Sequence, residues 1–274
     1  MIRKLKISII LLLLISMSYW GFKTYKEAKS YEFITSSIAA TCDANGLANE
    51  RIDELTSIIS LGLLPNKSKI ALEKLREKQK VAKEKSKNYL YYFLISLSLL
   101  LLFSFICSPR AASMTLSLAT FISLIYGLIN PILMVTIHKP VEYLGDVILS
   151  FESKGIIGSI SKLYESDEVA VATTILLFSV ILPLLKSLTL TFTLLFHEHR
   201  WSYGLVAFFK RIGKWSMIDV FVVATFLVYL TSNSGGVSHA EIQVGLYFFL
   251  IYVILSMITA ILTQRVLEKN LMVK

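Results

Sequence analysis

Hydrophobic and polar residues occur along this chain in long blocks. Six apolar runs approach or exceed the roughly 20 residues that an α-helix needs to cross a bilayer. These runs are Ile7–Phe22, Tyr89–Cys107, Met114–Ile137, Val169–Phe196, Met217–Leu230 and Val244–Leu262. The first and fifth runs are short and need flanking residues to span, whereas the fourth is long and must tilt or protrude. The pattern predicts an all-α polytopic membrane protein with about six transmembrane helices.

The first apolar run is followed by a polar segment, residues 23–88. No small-residue cleavage site follows the run, so we expect it to remain as an uncleaved anchor. From Lys67 onward, acidic and basic residues pair at helical spacing, and no break separates them from the second apolar run. We expect an extramembrane helical insert in which one long helix leans on an earlier one. The insert is either a solvated helical hairpin without chemistry or a docking arm for an extramembrane partner.

Two shorter polar connections also carry interpretable patterns. Residues 138–168 place apolar side chains at helical spacing, namely Val141, Leu144, Val147, Ile148 and Phe151. This spacing predicts an amphipathic helix packed on the outer face of the bundle. Residues 197–216 mix aromatic and basic side chains, which is typical of a helix lying among lipid headgroups.

The charge distribution predicts the orientation of the chain. The net charge is +9 and the mean hydropathy is +0.65. With the N-terminus inside, the inner segments carry +9 and the outer loops 138–168 and 231–243 carry −4. This bias follows the positive-inside rule, from which the long segment 23–88 is largely exempt, and it predicts that both termini are cytoplasmic. Topology and anionic lipids therefore account for the basic charge, and we expect no nucleic-acid binding.

The sequence carries no recognisable enzyme signature. It has no glycine-rich phosphate loop, no Gly-x-Ser-x-Gly and no His-Glu-x-x-His. Cys42 and Cys107 lie on opposite sides of the membrane in this topology, so we expect neither a disulfide nor a metal site between them. His197 and His199 are two residues apart and do not face each other on a helix. We therefore expect no enzymatic activity, no cofactor and no bound metal.

Two parts of the chain carry a family resemblance. The first is Leu163–Ser166 followed by Ser179–Lys186, and the second is Gly213–Val223. From about Thr115 to Arg265 the chain resembles the paraquat-inducible protein A family of bacterial inner-membrane proteins. Members of that family typically hold two four-helix modules, each preceded by a cysteine-rich zinc ribbon. This chain has one such module and no Cys-x-x-Cys.

The resemblance implies a function and completes the expected domain organisation. Family members look like partner subunits of MCE-type tunnels, which carry lipids between bacterial membranes. We accordingly expect an inner-membrane component of a lipid-trafficking system whose partners are membrane lipids and an MCE-type protein. The expected domains are an N-terminal anchor (1–22), an extracytoplasmic insert (23–88), a second transmembrane helix with a short inner turn (89–113), a four-helix module (114–266) and a cytoplasmic tail (267–274).

Two opposite charges inside apolar runs mark the candidate site. Lys186 lies in the fourth run and Asp219 at the start of the fifth. An ionised side chain in hydrocarbon costs about 3 kcal/mol or more, so such residues usually face a partner or a cavity. Pro183 cannot donate to the carbonyl of Ser179, and it is expected to kink the fourth helix. The predicted polar network comprises Lys186, Asp219, Ser179, Ser216, Ser256 and Thr259.

Three arrangements of Lys186 and Asp219 stay open. In the first, Lys186 and Asp219 exchange protonation as the bundle changes shape, which would couple proton movement to transport. Alternatively, they form a static ion pair that locks helix packing. In the third arrangement, Asp219 lies near the inner interface and never meets Lys186. Two other functions also stay open: a structural or assembly subunit that anchors a partner without transporting, and a membrane stress sensor that signals through residues 23–88.

Overall fold

The computed structural model describes residues 2–41, 67–141, 145–195 and 238–272 of the 274-residue chain. Its elements are α1 (Ile2–Thr41), α2 (Lys67–Phe105), α3 (Pro109–Ile129), β1 (Leu133–Val141), β2 (Gly145–Lys154), α4 (Ile156–Glu165), α5 (Val169–Ile175), a π-helical turn (Leu176–Ile181), α6 (Leu182–Leu195), β3 (Ser238–Ile242) and α7 (Val244–Met272). The segments α5, π-helical turn and α6 follow one another without a break.

Five helices within the described ranges are long and apolar enough to cross a membrane. They are α1, α2, α3, the helix that begins at Val169, and α7. The predicted all-α polytopic membrane fold is therefore confirmed. The sixth predicted span, Met217–Leu230, lies outside the described residues.

The first two helices form a long antiparallel hairpin. They contain 40 and 39 residues, so each is about 60 Å long, roughly twice the thickness of the bilayer hydrocarbon. Near one end, Lys6 Nζ donates to the Ile106 carbonyl at 3.2 Å. Near the other, Gln79 Nε2 donates to Thr35 Oγ1 at 2.9 Å. The prediction of an unbroken helix that continues into the second span and leans on an earlier helix is confirmed.

One half of this hairpin packs against α3 and α7. The rings of Phe93 and Phe248 meet edge to face with centroids 4.8 Å apart. The Tyr126 hydroxyl on α3 donates to the Ser18 carbonyl on α1 at 2.8 Å. The Tyr126 ring fits against α1 because Gly21 has no side chain; a Cβ there would lie 2.4 Å from the ring. The hairpin and the bundle therefore share one apolar core.

Small residues allow α3 and α7 to approach closely. Ala119, Ser123 and Gly127 follow one another at intervals of four on α3, and the first two are fully buried. A Cβ at Gly127 would lie 3.0 Å from the backbone nitrogen of Phe249 on α7. Stripes of small residues bring helix backbones together in membranes, where dispersion and hydrogen bonding provide much of the attraction.

The connection after α3 forms a small sheet where the sequence predicted a helix. Strand β1 pairs antiparallel with both β2 and β3, so the strand order is β2-β1-β3. Val141 lies in β1, and Val147, Ile148 and Phe151 lie in β2. The predicted amphipathic helix through these residues is therefore wrong, and Leu144 lies outside the described residues.

The physical reason for this error is strand pairing, both with the adjacent strand and with a distant one, which residue spacing does not show. Short apolar stretches cannot be assigned to helix or strand from residue spacing alone. Here Leu133 is opposite Ile242, a residue that comes far later in the chain. Helix α3 also ends at Ile129, before Pro131, with Asn130 in an extended conformation. The third span is accordingly shorter at its end than the predicted run Met114–Ile137.

The sheet docks on the α1–α2 hairpin. Tyr31 and Ala82 form a buried cluster with Met134 of β1. The Tyr31 hydroxyl donates to Glu241 Oε2 at 2.8 Å, and Lys83 Nζ lies 2.5 Å from Glu241 Oε1. Burial, together with the hydrogen bond and charge of Glu241, raises the pKa of Tyr31 well above its ordinary value. The phenol therefore stays protonated and remains a donor to Glu241.

The contact at Gly21 can be tested by Gly21→Ala. The new methyl group would collide with the Tyr126 ring, which is held by its bond to Ser18. Overpacking of this kind costs about 1–3 kcal/mol, so the Tm of the purified protein in detergent should fall by about 5 °C. The matched control is Gly158→Ala, because no atom lies within 4 Å of a Cβ built there. Equal Tm values for the two variants would contradict this packing.

Candidate functional site

A row of hydroxyl side chains lies in the interior of the bundle. Ser113, Ser117, Thr120 and Ser123 are spaced by four or three residues on α3, and all four are buried. This spacing brings them to one side of the helix. Several bond back to their own helix; Thr120 Oγ1, for example, donates to the Leu116 carbonyl at 2.7 Å. The interior of this apolar bundle is therefore lined in part by polar groups.

Two hydroxyl pairs join the helices across this interior. Ser117 Oγ and Thr191 Oγ1 lie 2.7 Å apart and link α3 to α6. Thr120 Oγ1 and Thr259 Oγ1 lie 3.2 Å apart and link α3 to α7. Such bonds between membrane helices contribute about 0.6 kcal/mol each. They therefore set the alignment of the helices more than they stabilise the fold.

The fourth span changes its winding just before Pro183. The Leu182 N–H donates to the Leu177 carbonyl, five residues earlier, which closes the π-helical turn. Proline has no N–H and cannot bond to the Ser179 carbonyl, so the regular pattern is interrupted at this position. Turns of this type are frequent at functional sites. The kink at Pro183 stays a prediction.

Lys186 lies at the edge of the interior. The buried side of α6 is formed by Pro183, Ser187, Leu190 and Leu194. Lys186 is adjacent to this side and is half-buried. Lys186 carries the charge in the middle of the fourth span. It directly precedes the buried Ser187 in the sequence. A small shift of α6 would therefore change the surroundings of this charge.

Three buried hydroxyls in the interior have no hydrogen-bond partner among the described residues. They are Ser187 on α6 and Ser256 and Thr263 on α7, each at most 2% exposed. A buried polar group without a partner costs about 1–3 kcal/mol. The interior thus retains hydrogen-bonding capacity that the described helices do not use.

The chemistry of this interior is hydrogen bonding among hydroxyl groups, with Lys186 at its edge. A hydroxyl group can donate one hydrogen bond and accept others, so it can hold a polar group or pass a proton along a chain. In the described ranges, no group of three or more His, Cys, Asp or Glu residues could hold a metal ion.

Five of the predicted residues can be placed in the structure. Ser256 and Thr259 lie on the buried side of α7, where Thr259 meets α3. Ser179 lies in the π-helical turn, and Pro183 and Lys186 follow it on α6. The π-helical winding means that the seven-residue spacing of Ser179 and Lys186 does not ensure a common face.

Two predicted residues, Asp219 and Ser216, lie outside the described residues, so the three arrangements of Lys186 and Asp219 all stay open. The sequence analysis also missed part of the interior. A search for hydroxyl residues at helical spacing in the third apolar run would have found those on α3. The interior residues that were not predicted include Ser113, Ser117, Thr120, Ser123, Ser187 and Thr191.

The stretch Leu163–Ser166 has a structural role at the end of α4. The Glu168 N–H donates to the Leu163 carbonyl at 3.0 Å, and Asp167 adopts a left-handed conformation with φ of 60°. Aspartate tolerates this conformation better than most residues. The stretch thus ends α4 and leads the chain into the fourth span.

The fold and its polar interior define a polytopic membrane protein of the helix-bundle class. Residues 111–267 match the family described as Paraquat-inducible protein A. The match covers more than half of the chain, so the protein belongs to this family. No curated protein and no solved structure matches the chain.

The pair Ser117–Thr191 offers a test of the interior. Ser117→Ala, Thr191→Val and the double variant form a thermodynamic cycle measured by reversible unfolding in mixed micelles. We expect a coupling free energy of about 0.6 kcal/mol, because either substitution removes the same bond. The matched cycle pairs Ser117→Ala with Thr174→Val, since Thr174 bonds only to its own helix, at Ala170. A coupling no larger than in that control would show that α3 and α6 do not meet here.

Proposed function

We propose that this protein is an inner-membrane component of a lipid-trafficking system that works with an MCE-type partner. The observation that carries the proposal is the hydroxyl-lined interior beside Lys186, inside the part of the chain that matches the family. A bundle that only anchors a partner needs no unpartnered hydroxyls in its membrane interior, because apolar side chains pack there at lower cost. Membership in the family supports the membrane role that this proposal requires.

The mechanism we propose couples lipid movement to protonation of Lys186 and Asp219. Burial lowers the pKa of a lysine and raises that of an aspartate, whereas pairing of the two opposes both effects. Separating such a pair leaves an uncompensated charge, so proton transfer and helix movement would occur together. The π-helical turn beside Pro183 supports this idea, since it is an irregular point in the helix that carries Lys186.

The orientation we propose has both termini in the cytoplasm. The turn between α2 and α3 then lies inside, and the three-stranded sheet lies outside with the distal half of the hairpin. The excess of lysine and arginine in the segments assigned to the inside supports this orientation.

The proposal can be tested in bacterial cells that produce only Lys186→Gln or Asp219→Asn. The measurement is the initial rate at which radiolabelled phospholipid passes between the inner and outer membrane fractions. We expect each variant to lower the rate at least tenfold, because an amide side chain does not titrate and cannot take up and release the proton. Collapse of the proton gradient should slow the wild type to a similar rate and leave the variants unchanged.

The matched control is Lys162→Gln. Lys162 lies outside the apolar spans and forms an exposed ion pair with Glu152 at 2.8 Å, which contributes little to stability. Immunoblotting of membranes confirms that each variant accumulates normally. Wild-type transfer in both Lys186→Gln and Asp219→Asn would eliminate the proton relay. Unchanged transfer in cells that lack the protein would eliminate the lipid-trafficking role.

A second candidate function is an assembly subunit that positions a partner without transporting. The hairpin supports it, because each of its helices is about 60 Å long, roughly twice the thickness of the bilayer hydrocarbon, so the distal half can reach a partner outside the membrane. The same cells separate the two functions. A chain in which Lys186 and Asp219 are both neutral, yet which restores full transfer, would favour assembly.

A further inference from the structure

Helices α3 and α6 carry hydroxyl groups at the same interval in the region where they meet. On α3, Ser113 and Ser117 are four residues apart, and on α6, Ser187 and Thr191 are also four residues apart. The oxygens of Ser117 and Thr191 lie 2.7 Å apart and join the two helices. Four residues correspond to about 6 Å along a helix axis. The two helices therefore share a polar spacing of about one helical turn.

The two helices are antiparallel, which fixes the order of these hydroxyls. Leu124 comes seven residues after Ser117 and belongs to a buried cluster. Leu184, which comes seven residues before Thr191, packs against that same cluster. The residue number on α6 therefore falls as the number on α3 rises, so Ser113 lies one turn beyond the level of Thr191.

A shift of α6 by one turn toward the start of α3 would form two hydroxyl pairs. Thr191 would reach the level of Ser113, and Ser187 would take the place of Thr191 opposite Ser117. The Ser187 hydroxyl is buried and has no hydrogen-bond partner among the described residues. Ser113 donates to the Pro109 carbonyl at 2.9 Å and can still accept. The shift would thus satisfy a buried group that is costly to leave unpaired.

The packing of the fourth span permits such a movement. In its apolar window 11% of the residues are buried, against 61% in α3 and 56% in α7. A shift of α6 therefore disturbs less of the core than a shift of α3 or α7 would. Leu190 and Leu194, both on the buried side of α6, are four residues apart. After the shift, one leucine takes the place of the other.

The segment before α6 can supply the length that the shift needs. Leu176–Ile181 forms a π-helical turn, and Pro183 interrupts the regular hydrogen bonding beyond it. Tighter winding increases the rise per residue, which is roughly 2.0 Å in a 3₁₀-helix and 1.5 Å in an α-helix. Rewinding the wide turn into a tighter one would therefore lengthen it and push α6 along α3 in the required direction.

Lys186 opposes this movement. It lies four residues before Leu190, which is 6% exposed, so after the shift the lysine would occupy the place of this buried leucine. A charged side chain is costly to bury inside a membrane protein. The ammonium group, which belongs to a half-buried residue in the present structure, thus favours the present position of α6.

We propose that α6 slides along α3 by one helical turn, and that the charge of Lys186 holds it in the present register. In the shifted register, Ser117 faces Ser187 and Ser113 faces Thr191. The proposal rests on the proposed function for its purpose, because that function requires a helix movement beside Lys186. Its test requires no lipid transfer, so the two proposals fail separately.

The two registers can be trapped by disulfides in isolated membranes that contain the full-length protein with both native cysteines replaced by serine. Ser117→Cys with Thr191→Cys reports the present register. Ser117→Cys with Ser187→Cys, and Ser113→Cys with Thr191→Cys, report the shifted one. A disulfide needs Cα atoms within about 7 Å of each other, so a pair that is one turn out of register closes poorly. We expect all three pairs to close on mild oxidation, the present-register pair fastest.

The matched control is Thr120→Cys with Thr191→Cys. Thr120 lies three residues from Ser117 on the side opposite to Ser113, so this pair reports a shift of similar size in the other direction. Each shifted-register pair should close about tenfold faster than the control, as expected for a minor but populated state. Equal rates would show undirected motion and overturn the proposal. Closure of the present-register pair alone, or its failure to close, would also overturn it.

The role of Lys186 is tested with the pair Ser113→Cys and Thr191→Cys. Lys186→Met removes the charge and keeps a long side chain, so it should raise the closure rate of this pair about tenfold. Lys186→Arg keeps the charge and should leave the rate unchanged. Equal rates in the two variants would overturn the role of the lysine. Detectable closure of the present-register pair in each variant shows that the fold is intact.

Discussion

Buried polar groups in a bilayer must find their partners inside the protein, because no water is present to replace them. The backbone meets this requirement by forming helices, and most interior hydroxyls meet it by bonding to their own helix or to a neighbour. The Ser18 carbonyl, which accepts from Tyr126, shows that the requirement also joins the hairpin to the bundle. Polar atoms that lack a partner within the described residues stand out against this background. The hydroxyl of Ser187 is one of them, and it supports the proposal for the interior.

Two polar places in the structure differ in position and in chemistry. The interior around Lys186 is lined by hydroxyls and lies among α3, α6 and α7. The cavity at Gln243 is lined by two lysines and a carboxylate, Lys83, Lys87 and Glu241, and lies where α2 meets the junction of β3 and α7. Helix α7 is common to both, since Gln243 immediately precedes it and Thr259 lies within it. Gly127 lets this helix approach α3 closely.

The sequence correctly predicted the helices that depend on residues close together in the chain. Long apolar runs identified the described spans, and paired charges after Lys67 identified the helix that continues into the second one. Patterns failed where contacts with other elements decide the structure. Val147 and Phe151 have helical spacing, yet they lie in a strand because β1 pairs with both β2 and β3. Thr120 belongs to a row of hydroxyls visible in the sequence, but spacing within that run does not reveal that Thr259 is opposite.

The amino-acid sequence was therefore sufficient for the membrane class, the family and the presence of a costly charge at Lys186. Each of these depends on the hydrophobicity or identity of residues that are neighbours in the chain. The hydroxyl pairs, the sheet and the cavity at Gln243 required the folded structure. They are formed by residues such as Ser117 and Thr191, or Lys83 and Glu241, which are far apart in sequence. Residue spacing within one helix or strand does not contain the information that brings such partners together.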